Sequence, residues 1–472
     1  MSANPIIITP TSGGGPAISL CRRLRQCGVE PDSRIAIIAG NSEKFVVARD
    51  ALALLGAIAV PVHPLLTAPE IRYLLGHSGA ERVLVDDEHA EVAKAACRDL
   101  ESSPAIDAID WRDEGGDAGA PIGATLIYTS GTTGEPKGCL RTAAQERARA
   151  EELIASYSLT DDDVQLVASP LTHSAPGIFA RAARLAGATT VLLPRFEPEL
   201  VLEQIERHRV SFFFMVPTQY ERLLGLPRAT RGNYDLSSVR VAIVAGAPMP
   251  PATKERVTRW LGPILWEFYG SSETGTVSVL SPEHGASNPR SVGKLAAGVK
   301  LEIRGLDGIP LAPGKQGELF VNSETVMAGY TEPGGGPPTG RPELVSVGDL
   351  GYLDDDGFLY LVGRATDTII TGGVNVYPAE VERALAAHPA VHRCVVFGRD
   401  DDDWGQRVEA LVTLEPEAEL DHAELKAFLA ERLAPFKIPK RFAVVSGESI
   451  PIGASGKAVR RLAHTVSGEP LR

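Results

Sequence analysis

The sequence is poor in cysteine, in aromatic residues and in long apolar runs. Its 472 residues include five scattered cysteines with no CxxC pair, and aromatic residues make up 6%. This cysteine usage predicts a reduced, cytoplasmic protein. The most apolar stretch, residues 51–66, contains Pro61 and is shorter than the roughly 20 residues that span a bilayer, so it predicts a core helix followed by a strand. We expect no signal peptide after Met1, because neither a basic n-region nor an apolar h-region follows it.

Positive charge is also scarce. The chain has 47 Lys and Arg against 60 Asp and Glu, a formal net charge of −13. Nucleic acids are bound by clustered Lys and Arg, so no nucleic-acid partner is expected. The ten histidines are dispersed without HExxH spacing, which argues against a histidine metal site. Anionic substrates must therefore meet donors that are arranged locally.

The hydrophobic pattern changes twice along the chain. Between Arg34 and Phe268, short runs such as "RIAII", "VQLVA" and "VAIV" alternate with helical periodicity, which predicts largely parallel sheets covered by helices. From about 291 to 362, shorter strands with frequent Gly and Pro predict a small β-rich subdomain. Beyond Arg364 the pattern predicts a small α+β unit. We therefore expect an α/β protein with a large N-terminal domain, residues 1–364, and a C-terminal domain, residues 365–472.

The stretch "YTSGTTGEPKG", residues 128–138, is dense in glycine and hydroxyl residues. The run "TLIY" precedes it and a helical segment begins near Thr142, so we expect it at a strand-to-helix turn, where backbone N–H groups can cradle an anion. Its spacing differs from GxxxxGK[ST], which disfavours γ-phosphoryl transfer of the P-loop kind. From these residues alone, a connection whose threonines only cap the next helix remains open.

Further motifs follow in a fixed order: "SPLTHSAPG", "VAGAPMP", "YGSSETG", "VGDLGYLDDDGFLYLVGR", "TGGVNVYPAEVE" and "SGK". Together with the Gly/Thr loop, they resemble the signature of the adenylate-forming superfamily, which comprises acyl- and aryl-CoA synthetases, luciferases and the adenylation domains of peptide synthetases. The resemblance runs from about Val29 to the C-terminus. It implies a mobile C-terminal lid that swings about a hinge, here near Thr366, where relatives usually carry Asp or Lys.

The resemblance implies an ATP site built from several motifs. Glu273 would coordinate Mg²⁺, Asp349 would accept the ribose hydroxyls near Arg364, and Lys457 would be the adenylation lysine. Thr274 would bind the α-phosphate and Tyr269 would stack on adenine. The clamp for the β- and γ-phosphates would comprise Thr129, Ser130, Gly131, Thr132, Thr133, Gly134 and Lys137. The purine pocket and its flanks would comprise Ala245, Gly246, Ala247, Pro248, Phe268, Gly270, Ser271 and Ser272.

For the transfer of the acyl group to CoA, the resemblance implies a second set of residues. Gly372 and Gly373 would line the pantetheine tunnel, and Trp404 and Phe436 would lie near the CoA nucleotide, with core packing as the alternative for both aromatics. His173 would gate the path from the acyl pocket to the thiol, and it joins Lys457, Thr129 and Glu273 in the expected catalytic set; a purely structural histidine is the alternative.

Three departures from the family pattern allow one half reaction to be weak. We expect the first strand and helix of many relatives to be missing before Arg34. Ala143 replaces a frequent histidine, and Ser346 and Val347 replace a common Arg-Thr pair. None of these departures removes a primary ligand for adenylation.

The acid itself is only broadly constrained. Residues 173–195, which resemble the front wall of the acyl pocket, contain no Asp or Glu, so an amino acid would bury its ammonium group unpaired. Small residues predict a roomy, mostly apolar pocket for an aryl, alicyclic or aliphatic acid. The expected substrate contacts are His173, Ser174, Ala175, Val216, Gly246 and Gly270.

The leading prediction is an acyl- or aryl-CoA synthetase that uses ATP, Mg²⁺ and CoA and works through acyl-AMP. Alternatives are a ligase that only forms the thioester from acyl-AMP made by a partner, an enzyme that loads carrier-protein phosphopantetheine, a non-catalytic nucleotide-binding scaffold, and a luciferase-like oxidation. The expected partners are a small carboxylic acid and CoA, without a nucleic acid or a membrane span. Whether the protein forms a homo-oligomer is left open.

Overall fold

The computed structural model describes most of the chain. The described residues are 4–9, 14–98, 100, 104–111, 115–129, 136–305, 307–336, 338, 340–372, 374–401, 403–416, 418–446, 449–450, 460–463, 465–466 and 468–471.

The first half of the chain alternates strands and helices. Its elements are β1 (Ile6–Ile8), α1 (Gly14–Gln26), β2 (Arg34–Ile38), α2 (Glu43–Leu55), β3 (Ile58–Val62), α3 (Ala68–Ser78), β4 (Arg82–Val85), α4 (Ala90–Cys97), β5 (Ala105–Ala108), β6 (Thr125–Thr129), β7 (Lys137–Arg141), α5 (Ala143–Tyr157), β8 (Val164–Val167), α6 (Ser174–Leu185), β9 (Thr189–Leu192), α7 (Pro198–His208), β10 (Phe212–Met215), α8 (Pro217–Leu224), α9 (Arg228–Arg231), β11 (Val241–Val244), α10 (Pro251–Leu261) and β12 (Leu265–Ser271).

The second half is richer in antiparallel strands. Its elements are β13 (Gly275–Leu280), α11 (Pro282–Gly285), β14 (Lys294–Leu295), β15 (Lys300–Arg304), β16 (Gly317–Asn322), β17 (Gly329–Tyr330), β18 (Asp349–Leu353), β19 (Leu359–Arg364), β20 (Ile369–Thr371), β21 (Val374–Val376), α12 (Pro378–Ala386), β22 (Val391–Asp401), β23 (Gly405–Leu414), α13 (His422–Ala430), β24 (Arg441–Val444), α14 (Arg460–Ala463) and β25 (Glu469–Pro470).

Two large mixed sheets form the N-terminal part. One has the order β17-β7-β6-β3-β2-β4-β5 and the other β1-β9-β8-β10-β11-β12-β13-β14. Their central strands are parallel, and strands such as β11 are buried along their whole length, as expected for strands covered by helices on both faces. A four-stranded antiparallel sheet, β15-β16-β18-β19, forms the β-rich part, and a six-stranded sheet forms the C-terminal part. The predicted fold class is confirmed.

Two expectations about local structure are wrong. A first strand and helix do precede Arg34: β1 pairs with β9, and α1 buries Leu20 and Leu24 in the core beside α2. The Gly/Thr loop does not lead directly into a helix, because β7 follows it and pairs antiparallel with β6, Thr129 opposite Lys137. The loop therefore joins the strands of a hairpin. The helix begins after this hairpin, where the Thr142 side chain accepts from the backbone N–H of Gln145.

Residues 51–66 form the end of α2 and then β3, as predicted. Ser42 caps the start of α2, and Gly56, with φ of 76°, ends it in the left-handed conformation that glycine adopts without strain. Among the described helices, none is long and apolar enough to cross a membrane.

Candidate active site

The predicted nucleotide ligands meet where three of the sheets come together. Thr129 ends β6 of the first large sheet, and Glu273 lies in the turn between β12 and β13 of the second. The Thr129 hydroxyl donates to Glu273 Oε1 at 2.9 Å. Asp349 opens β18 of the small sheet and reaches the second large sheet through Tyr269. The fold thus brings into contact residues that are 144 and 80 positions apart in the sequence.

Glu273 is the acidic centre of this junction. Its side chain is buried, and Oε1 also accepts the hydroxyl of Tyr330 at 3.1 Å. Burial, followed by the nearby Glu273 charge, raises the pKa of Tyr330, so this tyrosine remains a hydrogen-bond donor. Lys137 Nζ lies 5.6 Å from the centre of the Tyr330 ring. The junction therefore places one carboxylate, two hydroxyls and one ammonium group close together.

These donors fit Mg²⁺. The ion prefers hard oxygen ligands and is commonly held by one or two carboxylates together with phosphate oxygens and water. The buried Glu273 carboxylate is held in place by the hydroxyl groups of Thr129 and Tyr330, and it meets that requirement. Tyr330 is a member of this site that the sequence motifs did not reveal; it follows Gly329 in a two-residue strand, and nothing in its spacing distinguishes it.

The turn that carries Glu273 is shaped by its own side chains. Ser271 Oγ accepts the backbone N–H groups of Glu273 and Thr274, both at 3.1 Å. Gly275 has φ of +74°, and a Cβ atom there would lie 2.4 Å from Thr325 Oγ1, so only glycine fits. The Thr274 hydroxyl is 3.1 Å from the backbone N–H of Ser271, which donates to it, and it donates to the Gly275 carbonyl at the same distance. The predicted phosphate ligand Thr274 is thus held within this turn.

Arg141 supports the same turn through hydrogen bonds to backbone carbonyl groups. Its side chain is almost completely buried, and Nε donates to the carbonyl of Ser272 at 2.7 Å. The Nη1 group donates to the carbonyl of Thr325. Burial lowers the pKa of Arg141 to about 10, so the guanidinium is still charged at neutral pH. The sequence analysis missed this residue; its only signal is a single arginine that ends the strand "KGCLR".

The three residues at the expected ribose end of the site are joined by hydrogen bonds. Asp349 Oδ2 accepts the hydroxyl of Tyr269 at 2.7 Å, and Oδ1 accepts Arg364 Nε at 3.1 Å. Asp349 and Arg364 are paired directly across β18 and β19, which fixes their separation. Burial, followed by the Asp349 charge, raises the pKa of Tyr269 well above its usual value. A carboxylate with two acceptor oxygens and two neighbouring donors suits the binding of a diol.

The residues expected to line the acyl pocket lie beside a cluster of aromatic rings. Ala175, Val216 and Phe268 pack against one buried cluster that also contains Ala245. In that cluster, Phe179 stacks on Phe214 with ring centres 5.4 Å apart, and Phe268 lies 5.8 Å from Phe179. Phe179 and Phe214 are buried core residues, whereas Phe268 is only partly buried.

Two of the small residues have other reasons to be small. The hydroxyl of Ser174 accepts from Arg149 Nη2 at 3.2 Å and is directed towards α5. A Cβ atom on Gly270 would lie 2.1 Å from the Gly275 carbonyl oxygen, so the backbone of the turn demands glycine there. A Cβ atom on Gly246, which has φ of +88°, would lie 3.4 Å from Val216 Cγ1. The expectation of a roomy pocket, which rested partly on Ser174 and Gly270, loses that support.

The described C-terminal candidates are exposed to solvent. Gly372, with φ of +56°, donates its N–H to the Trp404 carbonyl at 2.9 Å, and a Cβ atom on it would lie 2.8 Å from the indole ring. Trp404 is 53% exposed and Phe436 is 38% exposed, so the core-packing alternative is wrong for both. Thr366 lies in a 3-10 turn, Ala365–Asp367, immediately after β19.

Several predicted residues fall outside the described part of the chain. They are Ser130, Gly131, Thr132, Thr133, Gly134, Gly373 and Lys457. Their roles stay predictions.

Comparisons with known proteins agree with this geometry. The family model "AMP-binding enzyme" matches residues 17–331, and the model "AMP-binding enzyme C-terminal domain" matches residues 380–457. The chain is 35% identical over 461 residues to a feruloyl-CoA synthase of Amycolatopsis sp, covering 93% of this chain and 90% of the relative. It is also 35% identical over 457 residues to a 2-succinylbenzoate–CoA ligase of Bacillus velezensis, covering 95% and 91%.

Solved structures give the same result. The o-succinylbenzoate CoA synthetase of Bacillus subtilis, in complex with its acyl-adenylate intermediate, superposes with a TM-score of 0.83 at 30% identity and covers 96% of this chain and 92% of the other. The amide bond synthetase McbA of Marinactinospora thermotolerans gives a TM-score of 0.87 at 26% identity, covering 97% and 94%. The chain belongs to the AMP-binding enzyme family, and within it to the adenylate-forming acyl- and aryl-CoA synthetases.

Proposed function

We propose that this enzyme activates an aryl carboxylic acid with ATP and transfers the acyl group to CoA. The observation that carries the proposal is the contact between Thr129 and Glu273, which joins the end of the phosphate-loop strand to the expected Mg²⁺ ligand. The same junction contains Lys137 and Tyr330, so the charges of a triphosphate and its metal ion have partners there.

In the first half reaction, a carboxylate oxygen forms a bond to the α-phosphorus of ATP, and the bond from that phosphorus to the pyrophosphate oxygen breaks. Because two anions approach each other, the main task is electrostatic stabilisation. Bound Mg²⁺ supplies neutralising charge to the phosphate oxygens. Glu273 would hold the ion, Lys137 and Thr129 would bind the outer phosphates, and Asp349 with Arg364 would fix the ribose. Lys457 would approach the bridging oxygen.

In the second half reaction, the CoA sulfur attacks the acyl carbonyl carbon, and the bond to AMP breaks. The exposure of Trp404 and Phe436 supports a role for the C-terminal part in binding CoA. Their two exposed aromatic side chains offer faces for a purine, and the absence of a side chain at Gly372 lets the Trp404 ring lie directly against the backbone there. The proposal includes a domain boundary near residue 364 and a hinge at Thr366, about which the C-terminal domain would move between the two half reactions.

The preference for an aryl acid is supported by the aromatic cluster beside the expected substrate contacts. Phe179, Phe214 and Phe268 belong to the apolar cluster against which Ala175 and Val216 pack, and aromatic rings favour flat aromatic partners in offset or edge-to-face contacts. The named substrates of the similar enzymes, ferulate and 2-succinylbenzoate, are also aromatic acids.

The cysteines support a cytoplasmic location for the enzyme. All five are free, and Cys27 is exposed, which suits a reducing compartment.

The test is a panel of benzoates, cinnamates, alicyclic acids and fatty acids, each incubated with ATP and Mg²⁺ and with either CoA or a holo carrier protein. Mass spectrometry measures acyl-AMP and the thioester separately. We expect acyl-AMP from aryl acids and a thioester with free CoA. Activity with long aliphatic acids alone would refute the aryl preference. Formation of neither acyl-AMP nor thioester with any acid would refute the proposed function.

A further inference from the structure

A group of titratable side chains lies at the carboxyl ends of strands in the first sheet, outside the nucleotide site. His63 follows β3, and Asp86 follows β4 with His89 in the next 3-10 turn, Asp87–His89. The carboxyl ends of parallel strands share one edge of a sheet and commonly carry binding and catalytic residues. His173 approaches the same edge from the second sheet, because it follows β8 and precedes α6.

The two sheets are clamped together at this edge. The Asn41 side-chain amide, just after β2, donates to the carbonyls of Ser169 and Leu193 at 3.0 and 3.1 Å. Its oxygen accepts the N–H of Leu171 at 2.8 Å. Two of these hydrogen bonds, with Ser169 and Leu171, therefore fix the segment that carries His173 on the first sheet, and the third holds Leu193 at the end of β9. The position of His173 relative to His63 is set by this clamp and by the packing of the two rings.

The imidazole rings of His63 and His173 face each other with centres 5.3 Å apart and planes inclined by 36°. Nδ1 of His63 is 3.2 Å from the backbone N–H of Leu65, which donates to it. A ring nitrogen that accepts a hydrogen bond carries no proton, so the proton of neutral His63 lies on Nε2. His63 is thus held in one tautomer by its own loop.

Other charged groups reinforce the neutral state of His63. Burial, followed by the charge of His89, lowers the pKa of His63. His89 is itself tied to Asp86, with Nδ1 2.5 Å from Oδ1, and the other carboxylate oxygen accepts the N–H of Gly40 at 3.1 Å. The titratable groups that face His63 are thus His173 and the His89–Asp86 pair; the Lys44–Asp87 ion pair lies on the exposed side of the same turn. A pKa below the usual value means that His63 is uncharged at neutral pH and gains a proton only as the pH falls further.

We propose that His63 is a positioning residue for the thioester-forming step, and that it acts by holding the His173 ring and keeping its surroundings free of positive charge. This inference rests on the proposed function. In that step CoA–SH and acyl-AMP give the thioester, AMP and one proton. The S–C bond forms as the C–O bond to AMP breaks, and neutral His173 accepts the thiol proton. A charged neighbour at position 63 would oppose that proton transfer.

The experiment measures the two half reactions separately in the full-length enzyme. Adenylation is followed by pyrophosphate exchange with benzoate and thioester formation by single turnover of synthetic benzoyl-AMP with CoA, from pH 5.5 to 9. The variants are His63→Ala and His63→Lys. The matched control is His392→Ala, which removes an exposed histidine paired with Glu415 on the C-terminal sheet.

We expect His63→Ala to slow thioester formation about tenfold, a fraction of the 10²–10⁴ that general acid–base catalysis contributes, with adenylation within about twofold of wild type. The acidic limb of the thioester pH profile should move to higher pH in His63→Ala, because water reaches the imidazole of His173. It should move to lower pH in His63→Lys, because a positive neighbour disfavours protonation.

Parallel losses in both half reactions would assign His63 a structural role and overturn the proposal. An acidic limb that stays in place in both variants would also overturn it. Loss of pyrophosphate exchange in the wild type with every acid would instead refute the proposed function, so the two failures are distinguishable.

Discussion

Replacing Arg141 with methionine should impair both stability and Mg²⁺-dependent adenylation, because Arg141 holds the backbone beside Glu273. Its guanidinium holds the carbonyls of Ser272 and Thr325, which lie on the two sides of the turn that presents Glu273. Methionine fills much of the same space but donates no hydrogen bond. Two buried carbonyl groups then lose their charged donor.

The expected loss of stability depends on the hydrogen-bond donors that the two carbonyl groups keep. The Ser272 carbonyl keeps the weak thiol donor of Cys139, whose Sγ is 3.1 Å away, so we assign it a cost of about 1 kcal/mol. The Thr325 carbonyl loses a buried charged donor, which costs about 2–3 kcal/mol. The sum of about 3–4 kcal/mol predicts a fall in Tm of about 4–5 °C for a domain of roughly 360 residues.

The assay pairs thermal unfolding with the Mg²⁺ dependence of pyrophosphate exchange at a temperature well below both Tm values. We expect Arg141→Met to need about tenfold more Mg²⁺ for half-maximal rate. A tenfold change corresponds to a loss of about 1.4 kcal/mol in the free energy of Mg²⁺ binding, which we attribute to a displaced Glu273 carboxylate. The control is Arg147→Met on α5, where the arginine is 53% exposed and paired with Glu151, and a change below about 0.5 kcal/mol is expected. An Arg141→Met enzyme with unchanged Tm and unchanged Mg²⁺ dependence would refute the reasoning.

Further predictions concern the remaining parts of the site. Lys457→Ala should nearly abolish acyl-AMP formation and spare thioester formation from supplied acyl-AMP; equal loss of both steps would contradict its assignment. Asp349→Asn should raise KM for ATP about tenfold or more, since one charged hydrogen-bond acceptor is lost, and initial rates at varied ATP will show it. Phe268→Val should shift the acid panel towards bulkier acids by making space beside the aromatic cluster, and an unchanged profile would count against an acyl site at Phe268. Removal of Mg²⁺ with EDTA should stop acyl-AMP formation but leave supplied acyl-AMP reactive with CoA.

Much of the secondary structure was predictable because it depends on local patterns. β-Branched and aromatic runs such as Phe212–Met215 and Val241–Val244 became buried parallel strands, and Thr142 with Gln145 marked the start of α5. The ordered motifs also led to the family, since each motif is a short continuous segment. In both cases, the decisive residues are close together in the chain.

Local patterns failed where a partner strand or a backbone contact decided the outcome. The segment Lys137–Arg141 became a strand because β6 and β17 lie on its two sides, and this pairing turned the expected strand-to-helix turn into a hairpin. Gly270 was expected to widen the acyl pocket, but the neighbouring carbonyl of Gly275 explains why it is glycine. Residue size alone does not indicate what surrounds a position.

The sequence by itself determined the family, the expected ligands and most strands and helices, apart from β1, α1 and β7, because these follow from periodicity and from contiguous motifs. Only the tertiary structure decided that Tyr330 and Arg141 support Glu273 and that His63 faces His173. Those contacts join segments that are tens to more than a hundred residues apart, and the packing of two sheets against each other sets them. No pattern within a single segment contains that information.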